Sequence, residues 1–186
     1  MIIGITGWFA AGKDTVCDYL EKKGFEKISL SDIIREHCTE EGIEHSRDNL
    51  RNMGNSLREK YGPDYLAKEA LKRMQANCKK KNFVIPSVRQ PAEVEILRKD
   101  PNFHLWEIYA PQKIRYERLI KRARGEDEVS ITFKEFVKKE EAEMGDGPNC
   151  QQVDKVIEEC DFQIDNSDDF ADLFKRIDKV LEGMNE

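Results

Sequence analysis

Short apolar runs alternate with amphipathic stretches along most of the chain. The β-branched run at residues 1–6 is typical of a buried strand. The same pattern predicts four more strands, at residues 25–30, 83–85, 103–109 and 162–164. Because helical stretches separate these runs, we expect an α/β fold with a doubly wound, parallel five-stranded sheet covered on both faces.

Helices are predicted where apolar side chains recur every three or four residues. Val16, Tyr19 and Leu20 share one face of the first helix, and Gly24 is placed to end it. Ser31 or Asp32 can cap the helix after the second strand. Shorter helices are predicted at residues 91–99 and 112–122. Residues 125–130 are polar and are predicted to form a mobile loop. The final helix carries an apolar stripe formed by Phe170, Leu173, Phe174, Ile177 and Leu181.

The composition narrows the possible classes of function. A chain of 186 residues suits one domain with its own core. Its formal net charge of −6 argues against a nucleic-acid-binding surface, and it has no apolar run long enough to span a membrane. Five widely spaced cysteines without a C-x-x-C pattern favour reduced thiols. We therefore expect a cytoplasmic monomer or homodimer whose partner is a small molecule.

The segment from Gly7 to Thr15 has the spacing of a phosphate-binding loop between a strand and a helix. Gly7 and Gly12 let backbone N–H groups turn inward around phosphate oxygens, and Ala10 and Ala11 belong to the same cradle. Lys13 brings a positive charge to the β- and γ-phosphates, where the N-terminus of the following helix also favours an anion. We therefore expect ATP as cosubstrate and Lys13 as a catalytic residue.

Asp14 stands where such loops usually carry a serine or threonine that binds Mg²⁺, and Thr15 follows it. One interpretation is that the carboxylate of Asp14 binds Mg²⁺ directly or through water. The other is that it only complements the positive end of the helix. The residues alone leave both open.

Several segments resemble those of the nucleoside monophosphate kinase group. Gly7–Thr15 resembles the loop of phage deoxynucleoside monophosphate kinases, and the segment 29–36 looks like the acceptor-site segment of adenylate kinases. Residues 83–93 are similar to their third strand and arginine segment. The same order recurs in dephospho-CoA kinases and in archaeal adenylate-kinase-like proteins, which resemble nearly the whole chain. This resemblance implies a kinase that moves the γ-phosphoryl group of Mg-ATP to a nucleoside or deoxynucleoside monophosphate.

The resemblance also implies an acceptor site, in a helical part at about residues 31–80. Arg35 and Arg89 would bind the acceptor's phosphate, since guanidinium groups bind phosphate in a bidentate way. Glu93 takes the position of a base-reading glutamine, where a carboxylate would accept from a cytosine or guanine donor. Asp32 would be the general base if the acceptor were instead a hydroxyl, as in dephospho-CoA kinase.

A lid is implied at about residues 115–145. Arg115, Arg118 and Arg122 share one helix face, and Arg124 follows. In the resembled kinases such arginines stabilise the migrating phosphoryl group. We favour Arg118 and Arg122 for this role, with a solvated basic face as the alternative.

One departure from the resembled kinases bears on catalysis. Their third strand ends in an aspartate near the metal, whereas this chain has Pro86. Together with Asp14, this keeps a nucleotide-binding sensor or weak ATPase open as an alternative function.

Overall fold

The computed structural model of the protein describes residues 1–77, 80–122 and 131–184, without the side chain of residue 122. A five-stranded sheet runs through its centre in the order β2-β3-β1-β4-β5, and every neighbouring pair is parallel. The strands are β1 (Ile2–Thr6), β2 (Glu26–Lys27), β3 (Phe83–Pro86), β4 (Phe103–Tyr109) and β5 (Phe162–Asp165). The predicted α/β fold class is confirmed.

Helices follow most of the strands and cover both faces of the sheet. The first five are α1 (Lys13–Lys22), α2 (Leu30–Glu40), α3 (Arg47–Tyr61), α4 (Tyr65–Ala76) and α5 (Pro91–Leu97). The others described are α6 (Gln112–Arg122), α7 (Phe133–Glu141), α8 (Val153–Glu158) and α9 (Phe170–Gly183). None of the described helices is both long enough and apolar enough to cross a bilayer.

The strand β1 lies at the centre because its side chains are apolar on both faces. Ile3 and Ile5 are completely buried and pack with residues of α1 and α9. Ile2 lies on the opposite face, in a cluster that includes residues of α2, α3, α4 and α5. A central parallel strand covered on both sides explains why the apolar run is continuous rather than alternating.

The second strand is shorter than the sequence predicted, and the helix after it begins earlier. The ladder covers only Glu26 and Lys27, since Ser29 already caps α2 by accepting from the Asp32 N–H at 3.3 Å. The cap is therefore neither Ser31 nor Asp32. The Ser29 hydroxyl supplies an acceptor for the Asp32 N–H, one of the first-turn donors that have no partner within the helix, so α2 begins directly after Ser29.

Other boundaries agree to within a few residues. The predicted helix at 91–99 ends at Leu97, and β5 extends one residue beyond the predicted strand. Phe170, predicted in the apolar stripe, is 61% exposed because it opens α9, whereas Leu173 and Ile177 are buried. The loop predicted at 125–130 lies outside the described residues. The helical part at 31–80 and the lid at 115–145 stay predictions as functional units.

Candidate functional site

The loop between β1 and α1 has the backbone conformation that a phosphate cradle requires. Gly7, Ala10 and Gly12 have φ angles of 129°, 59° and 96°, all in the left-handed region. A Cβ on Gly7 would lie 2.4 Å from the carbonyl oxygen of Ile108 in β4, so the loop passes too close to the sheet for any other residue. Alternating turns of this kind direct backbone N–H groups to one side, where they can bind an anion.

Lys13 folds back over this loop. Its Nζ donates to the carbonyl oxygens of Gly7 at 2.6 Å and Trp8 at 2.9 Å. Burial, and after it the positive charge of Arg89, lower the pKa of Lys13 to about 7, although the negative charge of Glu143 opposes the change. The predicted loop lysine and the predicted acceptor arginine are therefore close enough to affect one another.

Asn166 ties the loop to the end of β5. Its Nδ2 donates to the carbonyl oxygen of Ala11 at 2.8 Å, and its own N–H donates to Tyr109 at 2.7 Å. Asn166 is almost completely buried, and its Oδ1 has no hydrogen-bond partner within the described residues. The asparagine therefore fixes the second half of the cradle from across the sheet.

Arg89 lies just beyond β3 and is held by groups far away in sequence. Its Nη1 donates to Gln151 Oε1 at 3.1 Å and to Glu143 Oε1 at 3.3 Å. Glu143 Oε1 also accepts from Arg47, whose guanidinium lies 3.6 Å from the ring centroid of Phe9 in the loop. Arg47, Arg89 and Lys13 thus form a cationic group around one carboxylate beside the phosphate loop.

The carboxylate of Glu143 is 4% exposed. Burial alone would raise its pKa, but Arg89, Arg47, Lys13 and Arg115 together lower it below its ordinary value. It is therefore ionised near neutral pH. Sequence reasoning missed both Glu143 and Arg47, because each lies in a charge-rich stretch and meets its partners only through the fold.

Arg35 is closer to solvent than Arg89. It donates to Asp32 Oδ1 at 2.5 Å and to Ser31 Oγ at 3.3 Å, and about half of the Asp32 side chain is exposed. Ser31 Oγ lies 3.2 Å from Ser87 Oγ, and Ser87 has a positive φ of 70° directly after β3. The starts of α2 and of the Arg89 segment therefore meet at the same sheet edge.

Glu93 does not lie at the surface of the site. It is completely buried, and its Oε1 accepts from Arg58 Nε at 3.1 Å and Nη2 at 2.7 Å. Its Oε2 accepts from the backbone N–H of Arg89 at 2.9 Å. This placement does not support contact with an acceptor base. Glu93 instead holds the backbone of Arg89 in position.

The predicted lid arginines have different environments. Arg115 is buried and donates to the carbonyl oxygens of Phe9 at 3.0 Å and Ala110 at 2.8 Å, and it pairs with Glu140. Arg118 has a buried Nη1 without a hydrogen-bond partner within the described residues, and burial lowers its pKa. The side chain of Arg122 and all of Arg124 lie outside the described residues. Arg115 thus links α6 and α7 to the phosphate loop.

The ligands for Mg²⁺ would come from the start of α1. Asp14 is exposed in its first turn, and Thr15 follows. Pro86 pairs with Ile5 in the sheet, at the strand end where the resembled kinases have a carboxylate. No cluster of three or more metal-ligating side chains occurs among the described residues. Mg²⁺ at nucleotide sites needs only one or two carboxylates besides phosphate and water, so the residues present fit that ion.

Comparison with solved structures gives the same fold. The structure of TT1252 from Thermus thermophilus superposes with a TM-score of 0.62 at 18% identity, covering 98% of this chain and 97% of that one. Shikimate kinase from Bacteroides thetaiotaomicron gives 0.60 at 12% identity, with 100% and 99% covered. Dephospho-CoA kinase from Campylobacter jejuni gives 0.55 at 18% identity, with 98% and 96% covered. The chain therefore has a P-loop kinase fold, as the resemblance predicted.

Comparison with other sequences covers nearly the whole chain. Residues 3–146 match the family model of the AAA domain. A UPF0200 protein of Methanothermobacter thermautotrophicus is 33% identical over 100% of this chain and 92% of its own. A UPF0200 protein of Pyrococcus horikoshii is 31% identical over 97% of this chain and 96% of its own. The chain therefore belongs to the UPF0200 family and carries the AAA domain.

Proposed function

We propose that this protein transfers the γ-phosphoryl group of Mg-ATP to a small phosphorylated acceptor, a nucleoside or deoxynucleoside monophosphate. The observation that carries the proposal is the proximity of two phosphate-binding elements. The strands that lead to Lys13 and Arg89, β1 and β3, pair in parallel up to Ile5 and Pro86, and the Val88 N–H donates to the Ile5 carbonyl oxygen at 3.2 Å. A donor phosphate and an acceptor phosphate bound there would be neighbours.

The donor site would be formed by the cradle and the N-terminus of α1. Backbone N–H groups around Gly12 and the positive helix end would bind the β- and γ-phosphates. Lys13 would exchange its two carbonyl partners for phosphate oxygens and regain its full charge there. Asp14 and Thr15 would hold Mg²⁺, which when bound neutralises charge on the β- and γ-phosphates.

The acceptor site would lie at the carboxyl end of β3. Arg89 would bind the acceptor's phosphate, and Arg35, across the Ser31–Ser87 contact, would be a second guanidinium at this edge. An oxygen of that phosphate attacks the γ-phosphorus as the bond to the β–γ bridging oxygen breaks. The products are ADP and the nucleoside diphosphate formed from the acceptor. The attacking oxygen is already anionic near neutral pH, so no general base is needed. Arg118, whose buried Nη1 has no hydrogen-bond partner among the described residues, would neutralise charge during transfer.

A coupled assay over all ribo- and deoxynucleoside monophosphates and dephospho-CoA tests this function. We expect Mg-ATP-dependent turnover with at least one monophosphate, and a loss of at least about tenfold in Lys13→Ala, or about 1.4 kcal/mol. Arg35→Met and Arg89→Met should impair use of the acceptor while ATP binding without acceptor stays near wild type. Turnover with dephospho-CoA alone would favour attack by a hydroxyl, with Asp32 as the base. ATP hydrolysis or binding without any acceptor would favour a nucleotide sensor.

A further inference from the structure

One buried carboxylate holds two arginines that border the phosphate loop. Glu143 Oε1 accepts from both Arg47 and Arg89, and the charges of Lys13 and Arg115 also act on it. The side chains of Arg47 and Arg89 are 27% and 23% exposed, whereas that of Glu143 is 4% exposed. Both arginine side chains are therefore partly accessible from solvent, although their anion comes from the protein itself.

Two arginines that converge on one anionic oxygen are also suited to phosphate. A phosphate monoester offers three oxygens and close to two negative charges, whereas a carboxylate offers two oxygens and one charge. Planar guanidinium groups bind either anion in a bidentate way. The phosphate of a ligand at this position would therefore interact more strongly with Arg47 and Arg89 than the carboxylate of Glu143 does.

The backbone around Glu143 joins the lid to the Arg89 segment. Glu143 lies two residues beyond α7, and its carbonyl oxygen accepts from Val153 at 3.1 Å. The neighbouring Gln152 N–H donates to the carbonyl oxygen of Arg89 at 2.8 Å. Displacing the carboxylate of Glu143 would consequently act on the connection between α7 and the acceptor side of the sheet.

We propose that Glu143 is an internal stand-in for the acceptor's phosphate and that Arg47 is a further acceptor-binding residue. In the protein without acceptor, the carboxylate holds Arg47 and Arg89 beside the loop. The acceptor's phosphate takes over both guanidinium groups and displaces Glu143, which couples acceptor binding to the lid. The identity of the ligand as acceptor rests on the proposed function; the competition between the two anions does not.

Binding of inorganic phosphate, measured by calorimetry with saturating ADP to fill the loop, tests the competition. Glu143→Gln removes the competing charge, so we expect phosphate to bind at least about tenfold tighter than to wild type, or about 1.4 kcal/mol. The matched variant Glu141→Gln changes an exposed neighbour in the same turn and should bind phosphate like wild type. Adding Arg47→Met to Glu143→Gln should abolish the gain. Unchanged or weaker binding to Glu143→Gln would overturn the proposal.

Loss of a buried charge can prevent folding, so a second measurement uses the wild type. A crystal structure grown with phosphate and ADP should have phosphate between Arg47 and Arg89 with the Glu143 carboxylate displaced from both. Phosphate bound elsewhere, with both ion pairs intact, would refute the stand-in role. If no acceptor in the assay panel is phosphorylated but Glu143→Gln still tightens phosphate binding, the proposed kinase function fails while the anion site stands.

Discussion

Gly12 and Gly24 have almost the same positive φ angle but different surroundings, which separates the cost of backbone strain from the cost of a steric clash. Their φ angles are 96° and 94°. A Cβ on Gly12 would lie 2.2 Å from Asn166 Nδ2, whereas no atom of the described residues lies within 4 Å of one on Gly24. We expect Gly24→Ala to cost about 1–2 kcal/mol of unfolding free energy from backbone strain alone. Gly12→Ala should cost about 1–3 kcal/mol more from the clash and should weaken ATP binding.

Urea unfolding of both variants measures this difference. Combining Gly12→Ala with Asn166→Ala removes the clashing amide but also its bond to Ala11, so the double variant should recover only part of the loss. Equal stability of Gly12→Ala and Gly24→Ala would mean that Asn166 does not press on the loop.

Asp14 has two interpretations that a conservative substitution separates. If Asp14 is a ligand of Mg²⁺, the Asp14→Asn variant should need higher magnesium concentrations for turnover and should have a lower maximal rate, with the fold intact. If Asp14 only complements the helix dipole, the substitution should lower the unfolding free energy by only about 0.3–1 kcal/mol and leave activity normal at saturating Mg²⁺. We expect the first result, because the strand end that could otherwise supply a carboxylate has Pro86. Superimposable magnesium titrations would remove Asp14 from the metal site.

The residues that sequence reasoning could predict are those whose role follows from local spacing. The glycines and Lys13 of the loop are recognisable because strand, turn and helix are contiguous in the sequence. Glu143 and Arg47 are 96 residues apart, and nothing local distinguishes either from its charged neighbours. The spacing of Glu93 from Arg89 predicts ligand contact, but local spacing could not predict that its carboxylate would be bonded to Arg58 in the interior.

At the scale of elements, α6 and α7 are joined to the phosphate loop by one buried ion pair. Arg115 on α6 pairs with Glu140 on α7 and donates to the carbonyl oxygen of Phe9 in the loop. The ring of Phe9 stacks with Phe136 of α7, at a centroid distance of 6.0 Å. The periodicity of each helix predicted an apolar face, but not which neighbour would cover it, because that contact depends on tertiary packing.

Removing one partner of this ion pair should be costly. Arg115→Met leaves the Glu140 carboxylate buried without its cation, so we expect a loss of about 3–5 kcal/mol in urea unfolding. The double variant Arg115→Met/Glu140→Met removes both charges and should recover part of that loss, since the Phe9 carbonyl stays unsatisfied. As a control, Lys175→Met breaks the exposed pair with Asp172 and should leave stability near wild type. Equal effects of Arg115→Met and Lys175→Met would contradict the structural role of the Arg115–Glu140 ion pair.

At the scale of the whole molecule, the alternation of apolar runs was sufficient to predict the sheet, because its inner strands, such as β1 and β3, are buried on both faces. It was insufficient for β2, where the capping hydroxyl of Ser29 stops the strand after two residues. The parallel arrangement also brings the loop after β1, the Arg89 segment after β3 and Asn166 after β5 to one edge. That Lys13 and Arg89 would share this edge was foreseeable, but the contacts of Arg89 with Glu143 and Gln151 were not.

The shifted pKa values of Lys13 and of the thiols of Cys17 and Cys160 should change the stability with pH in opposite directions. The native pKa of Lys13 is about 7, against 10.5 in the unfolded chain, so above pH 7 the unfolded chain holds the extra proton and stability rises with pH. Burial raises the pKa values of Cys17 and Cys160 from 9.0 to about 12, so above pH 9 the native state holds the extra protons and stability falls. We therefore expect the unfolding free energy, measured in urea, to increase from pH 7 to about 8.5 by at most about 1.4 kcal/mol per pH unit, and to decrease above pH 9. Lys13→Met should remove the increase and keep the decrease. A wild-type profile that is flat between pH 7 and 8.5, or one that Lys13→Met reproduces, would show that Lys13 keeps an ordinary pKa in the folded protein.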